Sequence, residues 1–152
     1  MNLSIRLLDE NDDIPYDLLL LADPSKKLVD EYLQRGYCYV AHRNGELVGE
    51  FVLIRTHPCT VEIVNITVNE LYQGIGIGRS LVLRAIDEAK VLGAKTIEIG
   101  TANSSFKQLK LYQSCGFRMV GVDIGFFERH YEEELYEDGL RAIDMVRLRI
   151  EM

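Results

Sequence analysis

Gln73-Gly74-Ile75-Gly76-Ile77-Gly78-Arg79-Ser80 separates a β-branched run from an amphipathic one. Upstream, Val61-Glu62-Ile63-Val64-Asn65-Ile66-Thr67-Val68 is rich in residues that suit a pleated, half-buried surface, and it reads as a strand. Downstream, Leu81, Val82, Ala85, Ile86, Ala89 and Leu92 recur at helical spacing, and Gly93 is placed to end the helix. A strand, a tight glycine turn and a helix N-terminus make an anion site, because unpaired N–H groups point outward and the helix dipole favours negative charge. The alternating glycines Gly74, Gly76 and Gly78 remove the Cβ atoms that would hold a phosphate away from that backbone. The segment therefore predicts a phosphorylated cofactor.

The details decide which cofactor. A P-loop needs Gly, four residues, then Gly-Lys-Ser/Thr; here its first Gly falls on Gln73 and its Lys on Arg79. A dinucleotide fingerprint fails too, because its third Gly falls on Arg79 or Leu81, although Glu98 lies at a plausible distance for a ribose-binding acid. The pattern that fits is Gln-x-x-Gly-x-Gly, read as Gln73, Gly76 and Gly78. It resembles the acetyl-CoA pyrophosphate loop of the GNAT superfamily of N-acetyltransferases. Thr96 to Phe117 is similar to that family's next strand and helix, and it ends in Leu111-Tyr112-Gln113-Ser114-Cys115-Gly116-Phe117, where the family shows Leu-Tyr and then Gly-Phe. The resemblance covers residues 61–117.

The resemblance implies an α+β (mixed α/β) fold. Three layers, α/β/α, would enclose a central mixed, mostly antiparallel, splayed sheet of about seven strands, with about four helices. One domain, 1–152, would hold the acetyl-CoA core at 61–117 and an insert at 123–139 placed to cover an acceptor site. The implied activity is direct transfer of the acetyl group of acetyl-CoA to a primary amine, expected to belong to a small molecule. A protein or peptide N-acetyltransferase, a catalytically weak acyl-CoA sensor and a nucleotide-binding module are the alternatives.

Such a transfer needs the acceptor deprotonated, the carbonyl polarised, the leaving thiolate stabilised and both reactants held in line. By resemblance, Tyr112 would protonate the thiolate, and a backbone N–H between Ile66 and Val68 would polarise the carbonyl. Gln73, Gly74, Gly76, Gly78, Arg79 and Ser80 would hold the cofactor, with Lys107 and Lys110 as further cations. Glu62 leads as general base; it lies six residues before Val68, a parity that puts both on one face of a regular strand and on opposite faces of a bulged one. His130 and Tyr131 are rival bases in the insert, and Phe127 is a candidate for the acceptor pocket. Where the family has an Asn seven positions before the helix Tyr, this chain has Ser105, and Asn103 is the nearest Asn. Either could meet pantetheine, but Ser105 with Gln108 also matches a capping box that simply starts the helix.

Composition bounds the partners. The net charge of −7 disfavours nucleic acid and anionic membranes and suits cationic acceptors. No stretch approaches a membrane span, and the N-terminus lacks the basic flank and apolar core of a secretory signal. Cys38, Cys59 and Cys115 show no metal spacing and no even disulfide set, which reads as a reduced, metal-free, cytoplasmic protein. A homodimer is one expected state.

The remaining elements follow from local signals. Strands are expected at 3–8, 37–43, 46–55, 117–122 and 142–150, and helices at 13–22 and 26–34. Asn44-Gly45 marks a hairpin between two of these strands, and Asp23-Pro24-Ser25 starts the second helix. The acidic run Glu132-Glu133-Glu134, with Glu137 and Asp138, has the charge to attract a cationic amine, but its plainer reading is a solvated helical face.

Overall fold

The computed structural model describes residues 2–152. The chain runs through β1 (Leu3–Leu7), α1 (Tyr16–Ala22), α2 (Lys26–Arg35), β2 (Tyr37–Arg43), β3 (Glu46–His57) and β4 (Thr60–Val68). A 3-10 turn (Glu70–Tyr72) leads into α3 (Ile77–Val91), β5 (Thr96–Ala102), α4 (Phe106–Ser114) and β6 (Arg118–Asp123). The last elements are α5 (Phe126–His130), β7 (Leu135–Glu137), β8 (Leu140–Ala142) and β9 (Met145–Glu151).

Seven strands form one sheet in the order β1-β2-β3-β4-β5-β9-β6, and β7 and β8 make a separate hairpin. All neighbours in the large sheet are antiparallel except β4 and β5. The sheet is therefore mixed, with its parallel pair at the centre.

Burial on both faces explains the apolar runs of β3 and β4. Phe51, Leu53, Val61 and Ile63 pack under α3, which contributes Ile77, Leu81, Val82, Ala85, Ile86 and Ala89 at helical spacing. Val52 and Ile54 face the other way, onto Leu19 of α1 and Val29 and Tyr32 of α2. Ser25 caps α2 by accepting a 3.2 Å hydrogen bond from the Leu28 N–H, a contact type worth about 1 kcal/mol. These contacts make the three layers.

Two features of β4 create the site. Its ladder with β5 covers only Thr60–Ile63 against Thr96–Ile99. Beyond those residues the strands separate, so Asn65–Val68 pair with β3 on one side only. Val52 pairs with Asn65 and Leu53 with Ile63, which leaves Val64 as the extra residue of a bulge.

Three local expectations are corrected. Ser105 occupies the N-cap of α4 but makes no side-chain cap; its hydroxyl turns to Glu137 instead, so the capping box with Gln108 does not form. The acidic run is not a helical face, because Leu135–Glu137 and Leu140–Ala142 form a hairpin around Asp138 (φ 52°) and Gly139 (φ 77°). The expected last strand is broken at Ile143-Asp144, where Asn103 Oδ1 accepts from both backbone N–H groups at 2.8 and 3.1 Å.

Candidate active site

The glycine loop delivers α3 to the open side of β4. Gly76 is the N-cap of α3 at φ 91°, a left-handed conformation that costs an L side chain about 1–2 kcal/mol. Gln73 fastens the loop to the strand, its Nε2 donating a 3.1 Å hydrogen bond to the Val68 carbonyl. Between the loop, β4 and α4 lies a cleft of about 230 Å³, lined by Ile66, Val68, Gln73, Gly74, Gly78, Leu111 and Tyr112 among others. A Cβ on Gly78 would come to 3.5 Å from Leu111 and 3.7 Å from Val68, ordinary contact distances on the cleft wall.

A larger cavity of about 550 Å³ occupies the gap between β4 and β5. Its walls come from the α1–α2 turn (Asp23, Pro24), from β4 and β5, and from the 123–139 segment through Phe127, Tyr131, Leu135, Tyr136 and Glu137. Tyr112 lines both the cleft and the cavity. It is 5% exposed, packs edge-on against Phe117 at 6.2 Å, and its hydroxyl makes no hydrogen bond among the described residues. Burial holds this hydroxyl protonated well above the usual tyrosine range, and the negative charge of Glu137 adds to the effect.

A buried polar chain supports the cavity wall. Asn65 Nδ2 donates to the Leu19 carbonyl at 3.0 Å and to the Tyr32 hydroxyl at 2.8 Å. Tyr32 donates to Asp23 Oδ2 at 3.2 Å, and Asp23 Oδ1 accepts from the Ser25 N–H and from the Tyr131 hydroxyl. Asp23 thereby ties α1, α2 and the 123–139 segment together. Next to this chain, Glu50 on β3 is fully buried, and neither carboxyl oxygen has a hydrogen-bond partner among the described residues; the neighbouring Thr67 hydroxyl donates to Asn65 Oδ1 at 3.4 Å. Desolvation pushes the Glu50 carboxyl up to about 8.

The structure brings together Tyr112, Ile66, Val68, Gln73, Gly74, Gly78, Ser105, Phe127 and Tyr131 around the two spaces. It does not bring in the others. Glu62 lines neither space: the Val64 bulge puts it on the α1–α2 side of the sheet while Val68 faces α3. Its carboxylate lies 3.7 Å from Arg147, and burial raises its pKa against the opposing pull of that guanidinium. Arg79 folds onto the end of α4, donating to Ser114 Oγ at 3.0 Å, and Ser80 Oγ bonds back to the Gly76 carbonyl. Asn103 uses its amide to hold the β8–β9 connection and to donate to the Arg141 carbonyl at 3.2 Å. His130 is exposed against the ring of Phe126.

Asp23 lines the cavity without any role read from the sequence, and Glu137 lines it from a run whose plainer reading was a solvated face. Asp138-Gly139 between Leu135-Tyr136-Glu137 and Leu140-Arg141-Ala142 is a hairpin signal that places Glu137 on an inner strand. Asp23 gave no signal beyond its place before a helix.

A splayed parallel pair, a glycine loop at a helix N-terminus and a tyrosine between two connected spaces fit one known architecture. The acetyltransferase (GNAT) family model matches residues 6–117. The chain belongs to the GNAT acetyltransferase family. It is 58% identical over 150 residues to the Bacillus subtilis N-acetyltransferase YvbK, covering 99% of this chain and 97% of that one. A Bacillus subtilis acetyltransferase structure in complex with CoA superposes with a TM-score of 0.94 at 58% identity, over 99% of both chains. A GNAT acetyltransferase from Elizabethkingia anophelis with acetyl-CoA bound gives a TM-score of 0.98 at 44% identity, again over 99% of each. CoA and acetyl-CoA are thus the molecules bound in these two structural relatives. No helix among the described residues is long and apolar enough to cross a membrane.

Proposed function

We propose that this GNAT enzyme moves the acetyl group of acetyl-CoA directly to a primary amine of a small molecule. One observation carries the reading: Tyr112 lines both the glycine-loop cleft and the larger cavity. A thioester held along the cleft reaches the cavity at the Tyr112 hydroxyl, where an acceptor can approach from the opposite side. The cavity, at about 550 Å³, has the size of an ordinary small-molecule site and is walled by the 123–139 segment.

Placement supports the following roles. The α3 N-terminus and loop amides hold the pyrophosphate, and the unpaired edge of β4 from Ile66 to Val68 aligns the pantetheine arm and polarises the carbonyl. Tyr112, kept protonated by burial, donates its proton to the departing thiolate. Phe127 and Tyr131 shape the acceptor space, and Ser105 borders it. Glu62, paired with Arg147 and outside the cavity, could act on the acceptor only through an intervening group.

Thermal unfolding with acetyl-CoA, ATP and NADH in parallel tests the donor. A ligand at 100 times its dissociation constant adds about 2.7 kcal/mol, and the shift is expected with acetyl-CoA alone. CoA release is then measured with small amines and with peptides. Turnover confined to peptides would replace the small-molecule reading with a protein-directed one.

A further inference from the structure

Three carboxylates line the larger cavity, Asp23, Glu70 and Glu137, and no lysine, arginine or histidine does so among the described residues. Asp23 already accepts from the Ser25 N–H and from the Tyr32 and Tyr131 hydroxyls. Glu70 is exposed in the 3-10 turn. Glu137 differs from both. It borders the cavity from β7; its Oε1 accepts a 3.2 Å hydrogen bond from Ser105 Oγ, and its Oε2, closed off from solvent, has no hydrogen-bond partner among the described residues. Ser105 starts α4, the helix that carries Tyr112, so the same short element fixes the carboxylate and the leaving-group acid.

We propose that Glu137 is the catalytic base, binding the acceptor as its ammonium form and taking the proton that blocks nitrogen attack. The proposal rests on the amine-transfer reading above and adds the residue that performs its first step. The N–H bond of R–NH3+ breaks and a proton moves to the Glu137 carboxylate, leaving the lone pair on nitrogen. That pair forms the N–C bond to the thioester carbonyl, and the C–S bond breaks. Tyr112 gives its proton to sulfur and recovers one from the new amide nitrogen, and Glu137 returns its proton to solvent. The sum is amine cation plus thioester giving amide, thiol and one proton. A cavity with carboxylates and no cationic side chain favours the ammonium over a neutral or anionic acceptor before the transfer.

The test compares wild type, Glu137→Gln, Glu137→Asp and Glu62→Gln with two acceptors: the alkylamine that wild type acetylates best, and its β,β,β-trifluorinated analogue, which is largely neutral at assay pH. Glu137→Gln is expected to lose about 100-fold or more in kcat/KM with the alkylamine and much less with the fluorinated amine, which needs no base. Glu137→Asp, which keeps the charge but withdraws it, is expected to fall between, and it serves if the Gln variant does not fold. The melting shift given by acetyl-CoA should be the same in all four proteins. Loss of less than about 3-fold, or equal loss with both amines, would overturn the proposal and leave Glu137 a wall residue. A selective loss in Glu62→Gln instead would assign the base there. If wild type is stabilised by acetyl-CoA yet acetylates no amine, the amine-transfer reading itself fails and the role of Glu137 falls with it.

Discussion

The Tyr131 hydroxyl donates a 2.8 Å hydrogen bond to Asp23 Oδ1 across 108 positions of sequence, joining the far wall of the cavity to the α1–α2 turn. Burial and the Asp23 charge keep that hydroxyl protonated above the usual tyrosine range, so the bond persists through neutral and mildly alkaline pH. Tyr131→Phe keeps the ring and removes the bond. Urea unfolding is expected to show a loss of about 1.5–3 kcal/mol, as for other hydrogen bonds to a charged group. Steady-state kinetics should show a raised KM for the amine and an unchanged KM for acetyl-CoA. Equal changes in both would mean that the bond supports the whole fold and not the acceptor wall.

Tyr112→Phe isolates the leaving-group proton. The ring still packs on Phe117, so stability and acetyl-CoA affinity should change little. Turnover should fall by about 100-fold or more, the usual range for loss of a general acid. Because burial raises the pKa of Tyr112, a pH–rate profile should show no falling limb from tyrosine ionisation below about pH 10, the ordinary tyrosine value. A limb near pH 9 that vanishes in Tyr112→Phe would contradict this.

Tyr112 and Glu62 show what the sequence could and could not convey. Tyr112 was legible because Leu111-Tyr112 and Gly116-Phe117 end a helix in a recognisable pattern, and the glycine loop was legible because backbone geometry demands glycine there. The strand and helix that carry them fell within one or two residues of their expected ends. Glu62 was left on either face in the sequence, because one extra residue, Val64, reverses which face of β4 each later side chain meets, and nothing in a β-branched run marks a bulge. Arg79 stood beside the loop in sequence, yet its long side chain found the carboxyl end of α4. Glu137 was hidden in a run of acids whose composition suggested a solvated face, although Asp138-Gly139 carried the hairpin geometry.

Glu50 gives the protein a pH dependence of its own. Its folded-state pKa is pushed up to about 8 from an ordinary carboxyl value, so the folded state binds the proton more tightly than the unfolded chain does. The stability this provides is fully present below the unfolded value and is lost as pH rises through about 8. Glu50→Gln keeps the shape and cannot ionise. It is expected to match wild type near pH 5 and to be more stable at pH 8 by about 1 kcal/mol or more, measured by urea unfolding at each pH. Parallel curves for the two proteins across that range would show that the buried carboxyl does not titrate there.

Gly76 tests the link between backbone conformation and donor binding. At φ 91° and ψ 4° it turns the chain from the loop into α3, and Ser80 places both its N–H and its hydroxyl on the Gly76 carbonyl at 3.2 Å. Alanine there must hold a left-handed conformation, which costs about 1–2 kcal/mol, or else let the first turn of α3 rearrange. The first outcome lowers the melting temperature and leaves acetyl-CoA affinity near wild type; the second moves the helix N–H groups away from the phosphate positions. Because Ile77 is 1% exposed and anchors that turn in the core, the backbone has little room to rearrange, and the first outcome is expected. Calorimetric titration of Gly76→Ala with acetyl-CoA decides between them. A loss of affinity beyond about 10-fold with an unchanged melting temperature would mean that the helix start yields before the residue does.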